Sequence, residues 1–212
     1  MFRSLTLAML GAAVSVAPIN AQSHAGMSHG NASSTLRATL RTLLQEHAFL
    51  AANATGAALG GRKAEFESAA AALDMNSVDV SKAIGSVYGS GAEQAFLALW
   101  RKHIGFVVDY TVGLASKDKA KSDKAVGDLV QYTQDFGAFL ASANPNLPKD
   151  VVAGLVKDHV LTLKAVIDAQ GAMDNTKAFT ALRAAAMHMQ MIADPLADAI
   201  AKQFPAKFAD GM

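Results

Sequence analysis

Three histidines recur at one interval: His47, His103 and His159 are each 56 residues from the next. Their settings are alike, LLQEHAFLAA, LWRKHIGFVV and LVKDHVLTLK, in which apolar residues flank a polar pair and then the imidazole. Neutral imidazole is a metal ligand as well as a hydrogen-bonding group. Asp79, Asp135 and Asp194 keep nearly the same step. Two readings follow. In one, three imidazoles converge on an ion, with the carboxylates as ligands or as acceptors that fix the ring tautomer. In the other, each histidine is a core residue satisfied by its own aspartate or by a carbonyl, and recurs only because the unit recurs.

His188 stands outside the set of three. It lies in Met187-His188-Met189-Gln190-Met191, six residues before Asp194, where the same offset from Asp135 and Asp79 gives Leu129 and Leu73. On a helix Met187 and Met191 share a face, and His188 and Met191 are neighbours. Imidazole with thioether is a ligand mixture that suits copper, Cu(I) above all. The alternative is that methionine fills gaps in a helical core. A further copper candidate is His24. Cleavage after Ala21 would expose Gln22-Ser23-His24, whose amine, two amides and imidazole can form a square-planar nitrogen set.

The elements that would position these residues are helices. Residues 1–21 have a cationic start at Arg3, an apolar stretch and small residues before Ala21, the pattern of an export signal. Residues 22–33 are small and polar, without apolar periodicity, and are expected to be a disordered tail. From 34 to 208 apolar residues recur every three or four positions, interrupted by Gly60-Gly61, Gly89-Ser90-Gly91, Asn144-Pro145 and Asp174-Asn175. Helices are predicted from after Ser33 or Ser34 until Gly56, Gly60 and Gly61 end the first, over 62–88, with a break near Asn76 and Ser77, over 92–116, over 119–143, after Pro148, and over 176–203. Pro195 should kink or split the last of these. The predicted fold is all-α, a six-helix antiparallel bundle built from three α-hairpins of about 56 residues.

Composition narrows the function. The chain carries 19 Lys+Arg and 18 Asp+Glu, so there is no cationic excess for nucleic-acid phosphates. No run of apolar residues is long enough to span a bilayer. With no cysteine there is no disulfide framework, thiolate metal site or cysteine nucleophile. Glu-x-x-His and His-Glu-x-x-His motifs are missing, and Gly26-Met27-Ser28-His29-Gly30 falls in the polar tail, so no enzyme is expected.

The stretches LWRKHIGFVVDYTVG, TQDFGAFLASANPNLP and AAMHMQMIADPLADAIAKQFPAKF resemble a family of exported bacterial helical proteins without a well-established activity. Some of its members are associated with copper amine oxidase N-terminal modules. The resemblance covers roughly 34–208, implies an exported helical domain and carries over no catalytic residues. Together these expectations describe a periplasmic or secreted copper-binding bundle, a chaperone or sequestering protein. Its metal residues would be His188, Met187, Met191, His103, His47, His159 and His24. The competing expectation is a helical-repeat scaffold for an envelope protein or small ligand, with structural histidines.

Overall fold

Each hairpin turns on a residue with positive φ, and the three are in register. Gly61 (φ 68°), Lys117 (φ 57°) and Met173 (φ 58°) occupy the left-handed region at successive intervals of 56 residues. Around them the computed structural model, which describes residues 32–208, repeats one hydrogen-bonding pattern. The amides of Arg62, Asp118 and Asp174 donate to the carbonyls of Ala57, Gly113 and Ala169. Those of Gly61, Lys117 and Met173 donate to Ala58, Leu114 and Gln170. This is the paired closure that satisfies the last carbonyls of a helix and reverses the chain. Asp118 and Asp174 then cap the following helices by accepting from the amides of Lys121 and Lys177. Arg62 has no capping side chain and instead pairs with Glu65.

The helices so joined are α1 (Ala32–Leu59), α2 (Lys63–Tyr88), α3 (Ser90–Ala115), α4 (Lys119–Ala143), α5 (Lys149–Gly171) and α6 (Asn175–Gln203), followed by one turn, α7 (Pro205–Phe208). The described residues are all-α, as their periodicity predicts. α1 begins at Ala32, two residues before the expected start of the domain. α2 runs unbroken through Asn76 and Ser77, whose side chains bond to Leu43 and Leu73 carbonyls rather than ending the helix. α6 is continuous through Pro195. The carbonyl that loses its partner there belongs to Met191, an exposed residue, so water can take the bond.

Neighbours in sequence pack side by side, and α6 returns to α1, closing the ring. Inside it α1, α3 and α5 also touch one another, whereas α2, α4 and α6 fill the outer grooves. Close approach is secured by small residues. Ser81, Gly137 and Ala193, again 56 apart, are buried on the even helices or against them, and a Cβ at Gly137 would lie 2.5 Å from the Lys149 carbonyl oxygen. One end is tied by Asn144. It donates to the Tyr88 hydroxyl at 3.0 Å, Tyr88 donates to Gln203 at 2.7 Å, and Gln203 donates to the Ala143 carbonyl at 2.9 Å. No described helix is long and apolar enough to cross a membrane.

The turn geometry yields a prediction. A residue with a Cβ in the left-handed region costs roughly 1 kcal/mol relative to glycine. Lys117→Gly and Met173→Gly should each stabilise the fold by about that much, and Gly61→Ala should destabilise it comparably. Urea unfolding of the three variants measures this; stabilities of Lys117→Gly and Met173→Gly equal to or below the parent's would contradict the assigned turns.

Candidate metal centre

His47, His103 and His159 sit on α1, α3 and α5, each fourteen residues before the left-handed turn residue of its hairpin. Equal distance along three inner helices puts them at one height, about 21 Å from the turns. All three are buried. Each offers a ring nitrogen within 4.8 Å of those of the other two. The rings are mutually tilted, with centroids 5.3 Å apart for His47 and His103, 5.6 Å for His47 and His159, and 6.5 Å for His103 and His159.

The bonding of these rings is the informative point. The Nε2 atoms of His47 and His103 face each other at 3.4 Å. The Nδ1 atoms of His47, His103 and His159, and the Nε2 of His159, make no well-formed hydrogen bond. For His103 the Trp100 carbonyl is close enough to oppose slightly the fall of its pKa, and no more. Three ligands about 2.0–2.1 Å from one ion are separated by roughly 3.3–3.6 Å. The His47–His103 pair already has that spacing. A nitrogen of the third ring lies within 4.8 Å of both.

The surroundings are apolar and aromatic. Trp100 stands edge-on to His47 and His103, with centroids at 5.0 and 4.7 Å, and Tyr132 of α4 stacks on His103 at 5.0 Å. The Trp100 Nε1 and the Tyr132 hydroxyl are likewise buried without partners. A cavity of about 40 Å³ beside the trio is lined by His103, His159, Trp100, Tyr132 and Met189 among apolar residues. Apolar clefts of about 50 Å³ each reach the trio between α2 and α3, where His47 and His103 line the wall, and between α4 and α5, where His103 and His159 do.

Burial keeps all three imidazoles neutral. It pushes His47 well below the ordinary histidine range, with repulsion from His103 and His159 adding to the effect. His103 is lowered to about 3, by burial first and by His159 second. His159 is lowered to about 4, by burial and then by His188. Lone pairs for a metal are therefore present throughout the neutral range. Burial also pushes the Tyr132 phenol up.

The expected histidine–aspartate pairs are corrected. Asp79 pairs with Lys82, Asp135 accepts from Gln131, and Asp194 takes a two-bond clasp from Arg41 at 2.6 Å. None of these bonds involves the trio, because Asp79 and Asp135 lie on the exposed outer face of their helices and Asp194 is held at the α1–α6 seam. At strict 56-residue spacing the partner of Asp135 is Met191, not Asp194, and the partner of Leu73 and Leu129 is Ala185, not His188. His188 instead occupies the position of Asn76 and Tyr132. Asn76 donates to the Leu43 carbonyl at 2.9 Å, and the His188 Nε2 meets the equivalent Leu155 carbonyl at 2.9 Å.

The remaining candidates divide. Met187 and Met191 are 61% and 59% exposed and do not join the buried trio. Met189, between them, faces the core and lines the cavity with His103 and His159. His24, the export signal and the tail's copper set lie outside the described residues. Tyr132 and Met189 were missed as site residues; stepping back 56 residues from His188 finds the first. Among known proteins, the chain matches no family model, no curated protein and no solved structure at a significant level.

The lowered pKa values fix the sign of a pH effect. Unfolded histidine, near 6.5, binds protons before the folded trio does, so the contribution to stability is complete above about pH 6.5 and is lost as pH falls toward 4. Each histidine should add about 1.4 kcal/mol per pH unit to that loss. His159→Leu should remove one such increment between pH 6 and pH 5. Because it also deletes two unpaired buried nitrogens, it should raise apo-protein stability at pH 7 by about 1–3 kcal/mol. Denaturant unfolding at both pH values checks this; a histidine that is structural would give a loss at pH 7.

Proposed function

We propose that the protein binds one copper ion, as Cu(I), between His47, His103 and His159, and serves as a copper-sequestering protein of the periplasm or cell exterior. The observation that carries this reading is the unsatisfied bonding of the trio. Four ring nitrogens are buried without partners and the other two have only each other. A buried unpaired polar group costs about 1–3 kcal/mol. Residues that merely fixed helix register would have carbonyl or carboxylate partners, as Asn76 does. Three that converge without any support a missing ligand that takes lone pairs.

The chemistry of the walls supports a monovalent ion. No carboxylate belongs to the ligand cluster, so the ion's charge would go uncompensated in apolar surroundings. Desolvation cost rises with the square of charge, making a monovalent ion about fourfold cheaper to bury than a divalent one. Neutral imidazoles, with the Met189 thioether on the same cavity, suit Cu(I). Enclosure by three helices favours holding over rapid exchange, hence sequestration.

Apo protein without an affinity tag should take up one equivalent of Cu(I) from a chromophoric chelator. His47→Leu, His103→Leu and His159→Leu should each weaken retention by at least tenfold. Affinity should be nearly constant from pH 7.5 to 5, since the trio's protons come on below that range. A site built on histidines of ordinary pKa would weaken across the same window. Absence of copper uptake by the parent protein overturns the reading.

A further inference from the structure

We propose that Met187, Met191 and His188 form the intake port through which Cu(I) passes from solvent to His159. The proposal rests on the reading of the trio as a copper site, and it gives a role to a cluster that the trio does not include.

Five consecutive residues of α6 span the distance from solvent to core. Met187 and Met191, one helical turn apart, project into solvent at 61% and 59% exposure. Met189, on the opposite side of the same turn, is buried and lines the cavity shared by His103 and His159. His188 lies between, half-buried in the seam with α5. Its Nε2 is 2.9 Å from the Leu155 carbonyl oxygen. A carbonyl only accepts, so Nε2 carries the proton and the Nδ1 lone pair is left for a metal. The bond to the carbonyl also fixes the orientation of the ring.

The same contact places His188 beside the trio. In an α-helix the Leu155 carbonyl also accepts the amide of residue 159, so the His188 ring touches the turn that carries His159. The two imidazoles are near enough for His188 to depress the His159 pKa. A soft monovalent ion captured by the exposed thioethers would move by ligand exchange. A bond to Met187 or Met191 breaks as one to His188 Nδ1 forms, and that breaks in turn as a bond to His159 forms. Copper remains Cu(I) throughout. No proton need leave, because His159 is neutral and always has one nitrogen lone pair.

The three-hairpin register supplies a conservative variant. Asn76 makes in the first hairpin the helix–helix bond that His188 makes in the third, so His188→Asn retains the bond and deletes the imidazole. Met187→Leu/Met191→Leu keeps apolar volume at exposed positions. Tag-free apo protein is mixed in a stopped-flow instrument with the Cu(I)–bicinchoninate complex, and loss of its colour is followed. Both variants should reach the parent's one-equivalent endpoint and affinity, at rates at least tenfold lower. Unchanged rates overturn the port, and so does a drop in copper stoichiometry, which would make the cluster a separate site. If the parent itself removes no copper from the chelator, the trio reading fails and the port with it. Parent uptake with unaltered variant rates defeats the port alone.

Discussion

Three neutral imidazoles meet inside a bundle that gives four of their six nitrogens no well-formed hydrogen bond, and the rest of the molecule is organised around that meeting. A single buried histidine can be satisfied by one carbonyl and one hydroxyl. Three brought to a common point compete for the same space, and each one's polar edge displaces an acceptor from its neighbours. The trio therefore lowers apo stability relative to an apolar layer, and the large aromatic surfaces around it, Phe96 stacked on Trp100 and Trp100 against both nearer histidines, hold the rings in place without pairing them. The same packing buries all three rings, and burial makes the imidazoles hard to protonate.

The architecture that delivers this arrangement is economical in conformational terms. One hairpin geometry, set by a left-handed residue and its pair of reversed hydrogen bonds, fixes the height of every residue upstream of it. Written three times around a closed ring, it brings equivalent positions of the inner helices to the same level. Above and below the histidines the inner positions are apolar: Leu44, Trp100 and Val156 one turn before them, Ala51, Val107 and Leu163 about one turn after. Rings on three separate helices thus reach one point without any loop to position them. Sites built on packed helices position their side chains more precisely than sites on loops.

Much of this was legible in the chain. The helices, their count and the 56-residue interval follow from apolar periodicity and from Gly60-Gly61, Asn144-Pro145 and Asp174-Asn175. The convergence of His47, His103 and His159 follows from that interval once the inner helices are known to touch. What periodicity could not settle was which way a residue points when two helical neighbours compete for the seam. Asp79 and Asp135 recur as faithfully as the histidines, yet they face solvent, because Val80 and Phe136 beside them take the buried direction. Asp194 shares neither role; it lies three residues beyond the position that Met191 holds in register and is claimed by Arg41 across the α1–α6 seam. The turn residues Lys117 and Met173 gave no signal either. Neither is a residue that favours positive φ, and only Gly61 does so by type.

The departures from threefold repetition carry as much meaning as the repetition. At the seam position filled by Asn76, Tyr132 and His188, the first hairpin bonds a carbonyl and a carboxylate, the second buries an unpaired phenol against His103, and the third bonds a carbonyl while leaving one ring nitrogen free. Equivalent backbone thus offers three different chemistries at equal distance from the centre. The first has one exposed thioether beside it, Met75, and the third has two, Met187 and Met191; only in the third does the neighbouring position, held by Ser77 and Thr133 elsewhere, become the buried Met189. The inner ring keeps one residue type, histidine, on all three helices. The outer ring does not, and among the described residues its one buried thioether, Met189, lies on the third hairpin. Repetition thus sets the inner layer of three histidines, and the departures from it decide what surrounds them.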